Sequence, residues 1–212
     1  MTEPNPDAAS KPSRAEASRQ RRSARAIAAE RQRKQTATRT IAIALAAIAL
    51  VAIVGFVLFN RQQASMAVPE GIQDFAYQGA QHSEDPVEYT EHPPVGGVHN
   101  PVWQNCGYYA APVPNETAVH SLEHGAIWIT YQPDLPADQV RKLKELAEAQ
   151  SYILVSPMDD LPSPVVASAW NHQLQLQSAD DPGLDGFIRL YRLSREAPEP
   201  GAACAGGSSA TL

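Results

Sequence analysis

From Ile41 to Phe59 the chain contains only Ile, Ala, Leu, Val, Gly and Phe, nineteen residues without a charge. A helix of that length, rising 1.5 Å per residue, spans a typical hydrocarbon core. The run therefore reads as a transmembrane helix, and everything on either side of it must fold in a different compartment. A secretory signal peptide has a shorter apolar region and a small-residue cleavage site. The flank Arg61-Gln62-Gln63-Ala64-Ser65-Met66 is a poor site of that kind, so an uncleaved signal-anchor is expected.

Charge sets the orientation. Residues 1–40 carry ten Lys and Arg against four acids, out of 17 and 23 in the whole chain. Basic flanks stay in the cytoplasm, so residues 1–40 read as a cytoplasmic arm. The arm has almost no large apolar residues, cannot bury a core and is expected to be disordered, with a basic surface suited to anionic lipid. The localisation that follows is a single-pass cell-membrane protein with its C-terminal part extracytoplasmic. Beyond the arm, seven basic and nineteen acidic residues remain. Such a balance excludes nucleic acid as a ligand and favours cations.

Residues 60–68 read as a linker, 69–196 as one extracytoplasmic domain and 197–212 as a Gly/Ala-rich tail. The two cysteines, Cys106 and Cys204, both fall on the side where oxidation is permitted, and a disulfide between them is expected. It would close a loop of about a hundred residues, worth on the order of 4–5 kcal/mol if the gain is chain entropy. A metal-thiolate role for Cys106 is the alternative.

Within the domain, Pro93-Pro94 and Gly96-Gly97 forbid a regular helix between His92 and His99, so that stretch is an ordered loop. Asn115 is placed to cap a short helix that Gly125 ends in the left-handed conformation. Ala126–Tyr131 is β-branched and aromatic and reads as a strand. A helix from about Pro136 to Gln150 follows, with Val140, Leu143, Leu146 and Ala147 on one stripe. Tyr152–Ser156 and Val165–Trp170 read as strands. A last helix is capped by Asp181 with Pro182 at its first position, and buries Leu184, Phe187, Ile188 and Tyr191. The order β-α-β-β-α predicts a small α/β or α+β domain, a short sheet with two to three helices. A thioredoxin-like arrangement fits that order, but no Cys-x-x-Cys accompanies it.

Four of the six histidines, His92, His99, His120 and His124, lie within 33 residues. In Val119-His120-Ser121-Leu122-Glu123-His124-Gly125 the two imidazoles are four apart on a helix, with Cβ atoms about 5–6 Å from each other, close enough to share one ion. His99 is the expected third ligand, because neighbouring glycines permit close backbone approach, and His92 the fourth. His-x-x-Glu-His is also the inverted zincin pattern, which would make Glu123 a general base; Glu123 can equally be a solvated helix residue. Imidazoles satisfied by backbone carbonyls at a polar helix end are the plain alternative to a metal site. Glu116, one turn before His120, could add an oxygen, though the helix dipole already explains it. His82 and His172 stand apart in sequence and read as structural or surface residues.

The series His92-Pro93-Pro94 to Gly97-Val98-His99, then Val119 to Gly125, then Ala169-Trp170 and Phe187-Ile188-Arg189-Leu190-Tyr191-Arg192 resembles an uncharacterised bacterial family, domain of unknown function 3105. The resemblance runs from about Gln73 to Pro198 and implies a membrane-anchored protein of actinobacterial type with no established activity. Where a polar residue is expected before the glycine of the Pro-Pro-x-x-Gly segment, this chain has Gly96, so that loop supplies no hydroxyl there.

Three functions stay open from the sequence. One is an anchored domain that binds copper or zinc through His120, His124, His99 and His92. Another is a zinc hydrolase acting through Glu123. The third is a non-catalytic accessory protein of a membrane complex.

Overall fold

The computed structural model describes residues 22, 30–33, 45, 47–60 and 68–212. The rest of the expected arm, the start of the apolar run and the linker over 61–67 lie outside the described residues. The chain separates into two units, Met1–Leu58 and Phe59–Leu212. Residues 47–60 are helical and exposed. Among the described residues no helix is long and apolar enough to cross a membrane; residues 41–44 and 46 of the expected span are not among them.

The second unit is a small α+β fold built on a six-stranded sheet. Its strands are β1 (Gln73–Asp74), β2 (Gly107–Tyr108), β3 (Ile127–Tyr131), β4 (Ile153–Pro157), β5 (Val165–Ala169) and β6 (His172–Leu176). Their order across the sheet is β1-β6-β5-β3-β4-β2. Strands β3 and β4 are parallel, as are β4 and β2; β3 with β5, β5 with β6 and β6 with β1 are antiparallel. Three helices accompany the sheet: α1 (Asn115–Glu123), α2 (Ala137–Ala149) and α3 (Pro182–Tyr191).

Alternation along the central strands divides the core in two. Ile127, Ile129 and Tyr131 point to one face, where Leu143 of α2 and Leu184, Phe187 and Ile188 of α3 cover them. Trp128 points to the other, where it joins Val119 and Leu122 of α1 with Leu154, Val166 and Trp170. Helix α2 makes the crossover between parallel β3 and β4. Asn171, with φ of 65°, turns the β5–β6 hairpin.

The expected helices and the three expected strands form within one or two residues of their anticipated ends. Asp181 caps α3 through Oδ1, which accepts from the Gly183 N–H at 2.8 Å. Asn115 does not cap α1: Pro114 stands at that position and no side-chain cap forms. The extended backbone that Pro114 adopts (φ −61°, ψ 133°) starts the helix without one. Strand β6 is additional to the expected strands, although His172-Gln173-Leu174-Gln175-Leu176 alternates polar and apolar residues, and so are the two-residue strands β1 and β2.

The tail is an ordered part of the fold. Cys106 and Cys204 form the expected disulfide across 98 residues. Ala197 packs in the α1-side core. The Glu199 and Gly201 N–H groups donate to the carbonyls of Glu123 and His124, each at 3.0 Å.

Candidate metal centre

Helix α1 is buried from Thr117 through Glu123. Ala118, Val119 and Leu122 face the sheet, so the opposite stripe, with His120 and Glu123, and His124 at its C-cap, carries polar groups that must find partners away from water. Gly125 ends the helix at φ 88° and its N–H donates to the Leu122 carbonyl at 2.9 Å. A Cβ there would meet the Cα of Leu193 at 3.0 Å. Glycine is required both for the turn and for the close approach of Leu193, just after α3.

Two irregular segments roof the polar stripe. The backbone at 81–83 pairs in parallel with His99: the His99 N–H donates to the Gln81 carbonyl at 3.0 Å and the Ser83 N–H to the His99 carbonyl at 2.8 Å. This pairing carries His82 to the site. Gly79 lets the chain pass, since a Cβ on it would stand 2.8 Å from Glu123 Oε1 and 2.5 Å from Pro198. The Tyr89 hydroxyl donates to the Val98 carbonyl at 2.8 Å and holds the proline-stiffened loop over α1.

His82, His99, His120 and Glu123 converge, each offering one ligand atom, with those atoms all within 4.8 Å of one another. Oε2 of Glu123 is 2.8 Å from His99 Nε2 and 3.5 Å from His82 Nε2; Oε1 accepts the Ala80 N–H at 2.6 Å. The His120 ring lies 4.9 Å from that of His99 and 5.0 Å from that of His82, centroid to centroid. His99 and Glu123 are fully buried, whereas the His82 side chain is 38% exposed.

The outer nitrogens are what give the arrangement its meaning. Nδ1 of His99 donates to the Gly97 carbonyl at 2.7 Å, Nδ1 of His120 to the Asn100 carbonyl and Nδ1 of His124 to the Ala203 carbonyl, both at 2.6 Å. A carbonyl has no proton to give, so each partner assigns the ring hydrogen to Nδ1 and leaves Nε2 with its lone pair in the neutral imidazole. Those lone pairs point at acceptors. His120 Nε2 faces His124 Nε2 at 2.9 Å, and His99 Nε2 faces a carboxylate oxygen. With all three Nδ1 groups donating to carbonyls, no neutral tautomer also supplies a proton to either Nε2 contact; an added proton or a metal ion would satisfy them.

Burial first, and then the neighbouring His124 and His99, lower the pKa of His120 despite the opposing pull of Asn100 and Glu123. Its Nε2 is therefore an available ligand near neutrality. Burial alone would raise the carboxyl of Glu123. Hydrogen bonds from His99 and the Ala80 N–H, with the charges of His99 and His120, outweigh it and bring the pKa down to about 2. Glu123 is an anion that binds, and a weak proton acceptor at neutral pH. The arrangement suits a ligand better than the general base that His-x-x-Glu-His suggests.

Of the residues expected from sequence, His99 and His120 sit in the group. His124 adjoins it through His120. His92 does not reach it: its exposed ring bonds through Nε2 to the Asp159 carbonyl at 2.8 Å. Glu116 accepts the Val87 N–H at 3.2 Å instead of joining the group. His82, set apart by its position in the chain, takes the place expected for His92. His172 lies elsewhere, bridging Asp74 and Glu196 at 2.8 and 2.7 Å. No spacing rule links residues 82 and 99, because a bridge between two loops leaves no periodic trace.

A family model described as Protein of unknown function (DUF3105) matches residues 80–206. No curated protein and no solved structure matches the chain. The matched span contains all four converging residues, both cysteines and His124.

Proposed function

Because the chain belongs to the DUF3105 family of unknown function, we propose its function from the site alone: an anchored extracytoplasmic domain that binds one transition-metal ion through His82, His99, His120 and Glu123. The observation that carries this reading is the convergence of Nε2 lone pairs on an ionised, buried carboxylate, with the Nδ1 protons of His99 and His120 held by backbone carbonyls. Orienting acceptors of that kind are the common outer partners of metal-bound imidazole.

Three imidazoles and one carboxylate suit borderline divalent ions. With both cysteines oxidised, no free thiolate remains for a soft ion, so zinc or copper in its divalent state is favoured over Cu(I). Imidazoles bind metal in their neutral form, so metal binding competes with protons and strengthens as pH rises. The apolar run 41–59 and the basic arm before it support attachment to a membrane with this domain outside.

The test is metal analysis of the purified full-length chain after incubation with Zn²⁺, repeated for His99→Ala, His120→Ala and Glu123→Gln. One equivalent in the wild type and a loss of at least about tenfold in affinity in each variant is expected. Equal uptake by wild type and variants would remove the proposal.

A further inference from the structure

Two further groups that can hold an ion, His124 and Glu199, adjoin the four converging ligands through His120. His124 Nε2 lies 2.9 Å from His120 Nε2 and 3.7 Å from Glu199 Oε2. The Glu199 side chain is 51% exposed and that of His124 only 4%. The series Glu199, His124, His120 thus leads from solvent to the buried group in steps of a few ångströms. Both imidazoles are fixed for this task, their Nδ1 protons on the Asn100 and Ala203 carbonyls and their Nε2 lone pairs turned inward. The Trp103 ring, 5.4 Å from that of His124 and 6.0 Å from that of His120, walls one side.

We propose that His124 and Glu199 form a second, exchange position for the metal ion, through which it passes between solvent and the buried group by way of His120. This rests on the metal-binding reading above. His120 has one free nitrogen, so it cannot serve both positions at once: the ion is handed over and two ions are not held side by side. Glu199 supplies the charge that draws a cation to the opening, and His124 supplies the nitrogen that takes it on.

The test uses the purified full-length chain, Zn²⁺ and a chromophoric chelator, read by stopped flow for uptake and for chelator-driven release, and at equilibrium for affinity. Glu199→Gln is expected to slow uptake and release together by about tenfold or more while equilibrium affinity stays near that of the wild type, and His124→Gln to slow both rates at least as much. Glu199 is half-exposed and its amide variant is isosteric, so it decides the question even if His124→Gln fails to fold. Unchanged rates would mean that the ion enters past His82, which overturns the exchange position and leaves the buried site standing. A His124→Gln variant that loses affinity as severely as His99→Gln would make His124 a resident ligand and likewise overturn it. Absence of Zn²⁺ binding by the wild type would remove the underlying reading itself.

Discussion

The two faces of the sheet are covered in opposite ways. On the face of Ile127 and Ile129, two amphipathic helices lay apolar stripes against apolar strands. On the face of Trp128, one short helix is buried all round, and loops and the tail must cover its polar stripe. Regular helices consume their own carbonyls internally. Irregular backbone leaves carbonyls such as those of Gly97, Asn100 and Ala203 free to hold imidazole N–H groups. The face that packs less regularly is therefore the one able to fix the direction of a ligand's lone pair.

The contrast can be broken most forcefully at the disulfide. Replacing both Cys106 and Cys204 by Ser should cost about 4–5 kcal/mol if the stabilisation is chain entropy over a loop of this length. It should also change the rate of Zn²⁺ uptake and release, because Ala203 and Glu199 are tied to the site through the same segment. Urea denaturation and chelator-driven stopped flow measure the two effects. On the opposite face, Phe187→Ala removes a fully buried ring and should cost about 3–5 kcal/mol. If the faces are independent in function, metal affinity per folded molecule stays unchanged in that variant, and a parallel loss would blur the comparison.

A smaller effect comes from the ion. Zn²⁺ at a hundred times its Kd should stabilise the wild type by about 2.7 kcal/mol, seen as a shift of the urea midpoint. At the same Zn²⁺ concentration His99→Ala should cut that shift to about half or less, whereas Phe187→Ala should retain it.

The smallest effect is the acid response of the metal-free protein. His120 has a folded pKa below its unfolded value of about 6.5. As pH falls through 6.5 the unfolded chain takes up this proton first, so stability present above that pH declines. Glu123, held at about 2, adds a contribution that is present above its unfolded pKa and is lost as pH falls toward 2. Melting temperature against pH should therefore fall on the acid side, with the limb just below pH 6.5 flattened in His120→Gln. An unaltered limb in that variant would assign it to other groups.

Legibility in the sequence followed the same division. Helices α2 and α3 repeat apolar residues at the helical period, and strands β3, β4 and β5 are short, mostly apolar runs buried at every position, so their burial is written locally. His120, Glu123 and His124 were legible because a helix brings together residues three and four apart. His82 was not, since its approach to His99 depends on a long-range pairing of two loops, and His92 was misleading because closeness along the chain to His99 is not closeness in space. Strand β6 carried a readable alternation; β1 and β2 are too short to carry any. Gly79 gave a weak signal in retrospect: a residue without a side chain where the backbone must slip past Glu123.

The position of Ala203 also orders events in time. Its carbonyl steers the His124 ring, yet it is synthesised after every strand and helix, and one peptide bond before the cysteine that fastens it. A partly made chain can already possess the sheet, both of its apolar covers and the HxxEH turn while lacking the outer wall around them. Completion of that wall therefore waits until residues 199–203 have been made.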